Sequence, residues 1–509
     1  MRVGIDLGTT YSLVARMDPE GRPVLIPDHA ESDVFHTPSV VHIAPNAAFV
    51  GRLAEALLEQ DPSLQVVRFF KRSMGDPTPV FYDDNGAAWY AEGVAALVLR
   101  KLAYDAEAGS AVRVEEAVIT VPAHFSDPQR RAVLAAATLA DLAVAGLVEE
   151  PVAAALHYGV TAGVQDQVLL VYDFGGGTFD ATAMSMDSRG VYVLAKTGLT
   201  ELGGKEFDEK VGEMVLGQFE RALGAPLPTG ARTLLELRRV SEEIKIELCT
   251  PGKSRVRRLV LLGGQAVEVE ITRAEFEAAI KEALDLAEAE TMRCLGDAGL
   301  RPEDVGSLLL VGGSSLVPVI EERMRRIFGR PGQQVFYHEP SKAVAYGAAL
   351  HAHQLSGEAE MYNLPPELRG VSGYNVGVRA LDPGTGRVAV DTLIKKNMPL
   401  PAKARKTYFT TRPGQERMML DFVQYRDSRE DLINLGQLAI GPLSAPRANY
   451  PIEVTTEYRE DGTVAVQAYD AQTGVELQQE FGRDSADGTA HLASQRGLVR
   501  STVINNVIS

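Results

Sequence analysis

Three features of this 509-residue chain predict an α/β domain followed by a separate all-β domain. Up to about residue 357, apolar strand-like runs alternate with alanine-rich stretches of helical period, which is the pattern of α/β layering. Beyond Pro365 and Pro366 the texture changes to short alternating runs, IEVTTEY at 452–458 and TVAVQAYD at 463–470, joined through a turn at Asp461-Gly462. An apolar run that ends in aspartate and then glycine occurs twice, as VGIDLGTTYS at 3–12 and VLLVYDFGGGTFD at 168–180. The length alone requires at least two domains, because a single hydrophobic core stops growing well before this size.

Within the α/β part, Thr272 and Glu275 form a capping box ahead of Phe276, Ile280 and Leu284 at helical spacing, which marks a structural helix. With 45% apolar and 23% charged residues the composition is that of a globular protein, and no window approaches the roughly 20 apolar residues of a membrane span. Met1 runs directly into RVGIDLG without an export signal, so the cytoplasm is the expected compartment and no membrane partner is expected. Cys249 and Cys294 stand in helical settings without metal-ligand spacing, as reduced core residues do. A net charge of -17 disfavours a nucleic-acid partner, and the basic run KSRVRR at 253–258 reads as a solvated face.

The doubled glycine element carries the chemistry. A strand-like run comes after each copy, LVAR after the first and ATAMSM after the second, so both read as β-hairpins. A P-loop is excluded, since GLTELGGKE at 198–206 lacks both the first glycine and the final hydroxyl of that motif. Two glycine hairpins facing one another would offer backbone N–H groups to a phosphate chain from both sides, because glycine lets the backbone approach closely. The first supplies Gly8, Thr9, Thr10 and Tyr11, and the second Gly175, Gly176, Gly177 and Thr178. Asp6 and Asp173 at the strand ends would hold a hydrated Mg²⁺ through waters. Either hairpin alone is as well explained as an ordinary turn; the duplication favours the phosphate reading. A third element, SLLLVGGSSLVP at 307–318, brings Gly312, Gly313 and Ser314 toward a sugar and base.

Together these elements resemble the phosphate-1, phosphate-2 and adenosine motifs of the actin-like ATPase superfamily, a duplicated ribonuclease H-like α/β fold that also includes sugar kinases and actin. The remaining text resembles the seventy-kilodalton heat-shock chaperones: VITVPAHFSDPQRRA at 118–132, EEPVAAALHYG at 149–159, LGGKEFD at 202–208, SEEIKIEL at 241–248 and NLGQLAIGPLSAPR at 434–447. The resemblance runs with gaps from residue 3 to about 482. It implies an actin-like nucleotide-binding ATPase domain at 1–357, a linker at 358–376 and a β-sandwich peptide-binding domain at 377–482, and the glycine-interrupted polar residues 483–509 read as a short flexible tail. The implied activity is slow hydrolysis of ATP to ADP and phosphate, with ATP/ADP and Mg²⁺ as cofactors. The implied partners are unfolded or extended peptide segments, co-chaperones and a nucleotide-exchange factor.

The same resemblance assigns roles. Lys71, in RFFKRSMG, matches a lysine beside the transferred phosphate, where phosphoryl transfer needs a cation; its rival role is a surface charge. Glu150 matches a glutamate acting with the metal waters and the attacking water, and directly before Pro151 it also suits a helix N-terminus. Asp173 and Thr178 complete the implied catalytic set. Gly203 and Gly204 join the nucleotide contacts, and Glu242 and Lys245 match positions lining ribose and adenine, with a solvated pair as the alternative. Pro122 and Arg130 match a proline switch and its partner, which relay nucleotide state. Leu381 and Met419 match the peptide groove, although periodicity serves a sandwich core equally well.

Departures from the family pattern carry their own expectations. Leu316 and Ile246 stand at positions by the adenine, Leu316 where an arginine is usual, and Lys205 replaces an acid near the ribose, so adenine is expected to be held less tightly. The segment between Gly75 and Glu92 is shorter, the linker lacks the family's acidic-and-leucine run, and Arg412 falls at a usually small apolar arch position. The residues after Phe481 suffice for one short helix, so no C-terminal helical lid is expected, and peptide release should be fast. Two other functions fit the α/β part: a regulatory or scaffolding ATPase whose β domain holds one dedicated partner, and a sugar or small-molecule kinase. Binding of many apolar peptides, or phosphate transfer to a metabolite, would separate them.

Overall fold

The computed structural model describes residues 1–29, 31–162, 166–228, 230–357, 367–381, 386–428, 431–443, 445–478 and 486–505. Its α/β part contains the same sheet twice. In the first lobe, Arg2–Asp6 runs antiparallel to Tyr11–Met17, which pairs with Pro23–Leu25; on the other side Glu116–Val121 and Val144–Glu149 follow in parallel. In the second, Gln167–Phe174 pairs antiparallel with Phe179–Asp187 and then Gly190–Leu199, with Ser307–Val311 and Gln334–Tyr337 parallel on the other side. The duplication visible in two hairpins therefore extends to five strands of each sheet. It places Asp6 and Asp173 at equivalent strand ends.

A helix comes after the last of these strands in each lobe, Glu150–Ala162 in the first and Ala343–Leu355 in the second, and the two pack against each other between the sheets. Small side chains make the approach possible. A Cβ on Gly347 would lie 1.8 Å from the Ala153 carbonyl oxygen, and one on Gly4 would lie 2.0 Å from the Ala349 nitrogen. His157 is buried in this joint, its ring 4.8 Å from that of His338 and 4.9 Å from that of Tyr346. Burial, and next the neighbouring His338, hold its pKa down to about 4. An imidazole whose folded pKa lies below the unfolded value near 6.5 is protonated first in the unfolded chain, so stability falls as pH drops from about 6.5 toward 4. His157→Leu is expected to flatten this acid limb by up to about 3 kcal/mol. Urea midpoints at pH 5 and pH 7 check it; an unchanged difference between them in the variant would remove His157 from the acid response.

The β domain is a sandwich of two four-stranded sheets. One has the order Val388–Ile394, Asn375–Leu381, Met418–Tyr425, Ile433–Ile440, and the other Ala402–Phe409, Pro451–Tyr458, Val464–Asp470, Glu476–Gln478. Ile452, Val454, Thr456 and Tyr458 point into the core at period two, and the turn at Asp461-Gly462 places Gly462 at φ 76°. The basic run seen in the sequence is part of a hairpin in the α/β domain, where Arg257 pairs with Glu268 and Arg258 with Glu243.

Two boundaries differ from expectation. Residues 358–366 of the linker lie outside the described residues, but Glu367–Arg369 forms a parallel strand beside Gly190–Tyr192, so that stretch belongs to the second-lobe sheet. The tail, expected to be flexible, forms the helix Ala486–Ser501 and the strand Val503–Asn505, both packed on the first lobe. Val499 and Gln495 are fully buried, and Gln495 accepts from the Tyr90 N–H (3.2 Å) while donating to the Ala88 carbonyl (2.9 Å). Arg100 caps the helix end by donating to the carbonyls of Val499 (2.7 Å) and Thr502 (3.0 Å). Val503–Asn505 then adds to the edge of the strand Ala47–Val50. These main-chain bonds and two buried side chains supply the order that a polar, glycine-interrupted sequence conceals.

Candidate active site

The two glycine hairpins open onto a cleft of about 770 Å³ between the lobes. Gly8, Thr9, Thr10 and Tyr11 line it from one side, with Gly175, Gly176 and Thr178 opposite, and Gly312, Gly313 and Ser314 line it together with Gly204, Glu242 and Lys245. Gly177 and Gly203 are behind the surface instead. A Cβ on Gly177 would meet the Thr9 side chain at 2.4 Å, and one on Gly203 would meet the Gly177 nitrogen at 2.5 Å. Both are glycine because backbone must pass against its neighbours there. The first hairpin is fixed from behind by Ser12, whose Oγ accepts from the Gly8 N–H (3.1 Å), and by Ser39, whose hydroxyl donates to the Gly8 carbonyl (2.8 Å).

The floor of the cleft concentrates charge. Lys71 is buried, with its ammonium paired to the Glu150 carboxylate and 6.0 Å from the centre of the Phe125 ring. Asp6 accepts from the Thr120 hydroxyl (3.0 Å), and its pKa is pushed up to about 7 by burial and then by Glu150, against the opposing pull of Lys71. Asp173 is raised well above its usual range by burial and by Glu150, Asp180 and Asp6. Asp6, Asp173 and Glu150 thus face a single lysine, a surplus of negative charge that suits a divalent cation. Among the described residues no three acidic, histidine or cysteine side chains form a metal cage.

Elsewhere along the cleft, Lys245 pairs with Asp208 (2.7 Å), which burial raises to about 6, and Ile246 and Leu316 are exposed apolar walls. Sequence reasoning missed Arg238 and Phe69, which also line the cleft: the Arg238 guanidinium lies 4.7 Å from the Phe69 ring centre, and Lys205 lies 5.4 Å from it. Arg238 could have been found, since it is one turn before Glu242 on the helix Ala231–Cys249. Phe69 gives no such signal, because its left-handed φ of 56° becomes visible only in the fold.

Pro122 and Arg130 lie outside the cleft, in the segment between it and the β domain. Arg130 is buried, donating to the Glu149 carboxylate (2.6 Å), the Phe125 carbonyl (3.0 Å) and, across the domain boundary, the Asp461 carbonyl (3.0 Å). Leu381 and Met419 are half exposed on the β domain, whereas Met418 and Leu420 on either side of Met419 are core.

The fold and cleft define an actin-like ATPase domain joined to a β-sandwich. The family profile described as Hsp70 protein matches residues 2–491. "Chaperone protein DnaK" of Thermotoga neapolitana is 33% identical over 488 residues, covering 93% of this chain and 79% of that protein. The protein of the same name from Thermosipho melanesiensis is 33% identical over 489 residues, with the same shares covered. The chain belongs to the Hsp70 family and is an ATP-dependent, ATP-hydrolysing chaperone. No helix among the described residues is long and apolar enough to cross a membrane.

Proposed function

We propose that hydrolysis in this cleft governs how the β domain holds extended apolar peptide segments, with the chain from Pro122 to Arg131 as the mechanical link. In this reading the glycine hairpins and Thr9, Thr10 and Thr178 bind the phosphates, Lys71 stabilises charge on the transferring phosphoryl group, and Glu150 orients the attacking water. Asp6 and Asp173 would hold Mg²⁺ through waters, and the ion would neutralise charge on the phosphate oxygens. Glu242 and Lys245 take the ribose and base side, and Leu381 and Met419 belong to the peptide groove. Unfolded chains, co-chaperones and an exchange factor are the partners this function calls for.

The observation that carries the reading is a continuous path of contacts. Phe125 lies under Lys71, and the residues next to it hold the β domain. The His124 carbonyl accepts from the Tyr374 hydroxyl (2.7 Å), the Asp127 carboxylate accepts from the Val464 N–H (2.6 Å), and Arg131 donates to the Val464 carbonyl (2.5 Å). A shift at the phosphate end therefore changes contacts that the β domain uses. The test is release of a fluorescent extended peptide with ATP, with ADP and without nucleotide. ATP is expected to accelerate release from the parent, and Arg130→Ala to cut that acceleration by about tenfold, a typical coupling strength. Equal acceleration in both would sink the proposed link, and no apolar-peptide binding in any state would sink the groove.

A further inference from the structure

The second glycine hairpin is shaped from behind by bonds to its carbonyl groups. The Gly175 carbonyl accepts from the Gly204 N–H (3.1 Å) and the Ser314 hydroxyl (2.7 Å), and the Gly176 carbonyl accepts from the Lys205 N–H (3.0 Å). Those donors share the hairpin's own lobe. The Gly177 carbonyl accepts instead from Arg72 Nη2 (2.7 Å), which reaches over from the first lobe. The same guanidinium grips Glu206 with both arms, Nη1 to Oε1 at 2.7 Å and Nη2 to Oε2 at 2.9 Å. Each end of this bridge is anchored in a different core: Phe70 is buried in that of the first lobe and Phe207 in that of the second.

We propose that Arg72 is a positioning residue for ATP hydrolysis, a latch that closes the two lobes and sets the shape of the second phosphate hairpin in one step. The proposal rests on the reading of the cleft as the site of ATP hydrolysis. Arg72 shares a short 3-10 turn, Phe70–Ser73, with Lys71, so the bond that closes the lobes also fixes the turn carrying the lysine. A forked guanidinium is required, because one cation must satisfy two carboxylate oxygens and a carbonyl in a single plane; the ammonium of lysine lacks that fixed geometry. The latch joins the lobes without touching the base end, so its loss should open the cleft and leave the choice of nucleotide unchanged.

Stopped-flow release of fluorescent ADP and single-turnover ATP hydrolysis test the latch in full-length parent, Arg72→Ala, Arg72→Lys and Glu206→Gln proteins. In Arg72→Ala, release should speed up about tenfold and the hydrolysis constant fall by a similar factor, as expected for a lost charge-assisted pair, with the ATP to GTP preference unchanged. Arg72→Lys should recover only part of either effect. Glu206→Gln should shift the same two quantities, and the double variant Arg72→Ala/Glu206→Gln should be no worse than Arg72→Ala alone. Parent-like rates in both Arg72 variants, or effects that multiply in the double variant, would overturn the latch while leaving the cleft reading intact. Failure of the parent to bind ADP would overturn the cleft reading and the latch with it.

Discussion

Lys71→Ala is expected to lower single-turnover ATP hydrolysis by about 10²–10³-fold, the usual loss when one preorganised donor to a charged transition state is removed. ADP affinity should change only a few-fold, because the glycine hairpins make most of the phosphate contacts in the proposed site. The ammonium sits on the floor of the cleft, paired to Glu150 and walled by Phe125, so it has no freedom to act as a surface charge. Its removal also leaves Asp6, Asp173 and Glu150 without the lysine that offsets their charge, which should lower the Mg²⁺ concentration needed for half-maximal binding. Hydrolysis equal to that of the parent would remove Lys71 from the chemistry, whereas a fall in affinity that matches the fall in rate would reassign it to ground-state binding.

Gly347→Ala is expected to destabilise the protein by upwards of about 3 kcal/mol, at the top of the range for overpacking. The new Cβ would fall 1.8 Å from the Ala153 carbonyl oxygen and 2.3 Å from its carbon, so backbone would meet backbone and no rotamer change could relieve the contact. The helices that join the lobes would have to separate. Gly296→Ala is the contrasting case, in the helix Lys281–Asp297 with open space around it, and should be neutral or stabilising by up to about 1 kcal/mol. Denaturant midpoints of the two variants compare them directly. A Gly347→Ala midpoint close to that of the parent would show that the joint is loosely packed.

The features legible in the sequence were local ones. The doubled hairpins announce themselves because a strand that ends in aspartate and glycine must turn beside something that approaches closely, and two copies imply two equivalent sheets. Lys71 and Glu150 could be singled out only through a family resemblance, since a charged residue says nothing about the partner the fold will bring to it. The helix joint was hidden for a related reason: alanine-rich runs at 152–156 and 345–352 signal helices, while the need for Gly347 arises only where they cross. For Met419 the alternation was correct but mute about which face is inside. The sandwich decides it, burying Met418 and Leu420 and leaving Met419 half exposed. The ordered tail escaped because its apolar anchors are few, Val499 in the first-lobe core with Leu492 and Leu498 against it, and Gln495 bonds to main chain supply the rest.

That tail also fixes a timetable. The strand Ala47–Val50 is synthesised long before its partner Val503–Asn505, and at ordinary elongation rates about 20 to 90 seconds separate the two. Throughout that interval the newly made first lobe presents an unpaired sheet edge and an open seat for Val499. Any strand of suitable pattern can compete for that edge before the chain's own partner strand arrives. Biogenesis of this chaperone thus includes a period in which its earliest lobe is itself open to mispairing, closed only when Val503–Asn505 emerges and adds on in parallel.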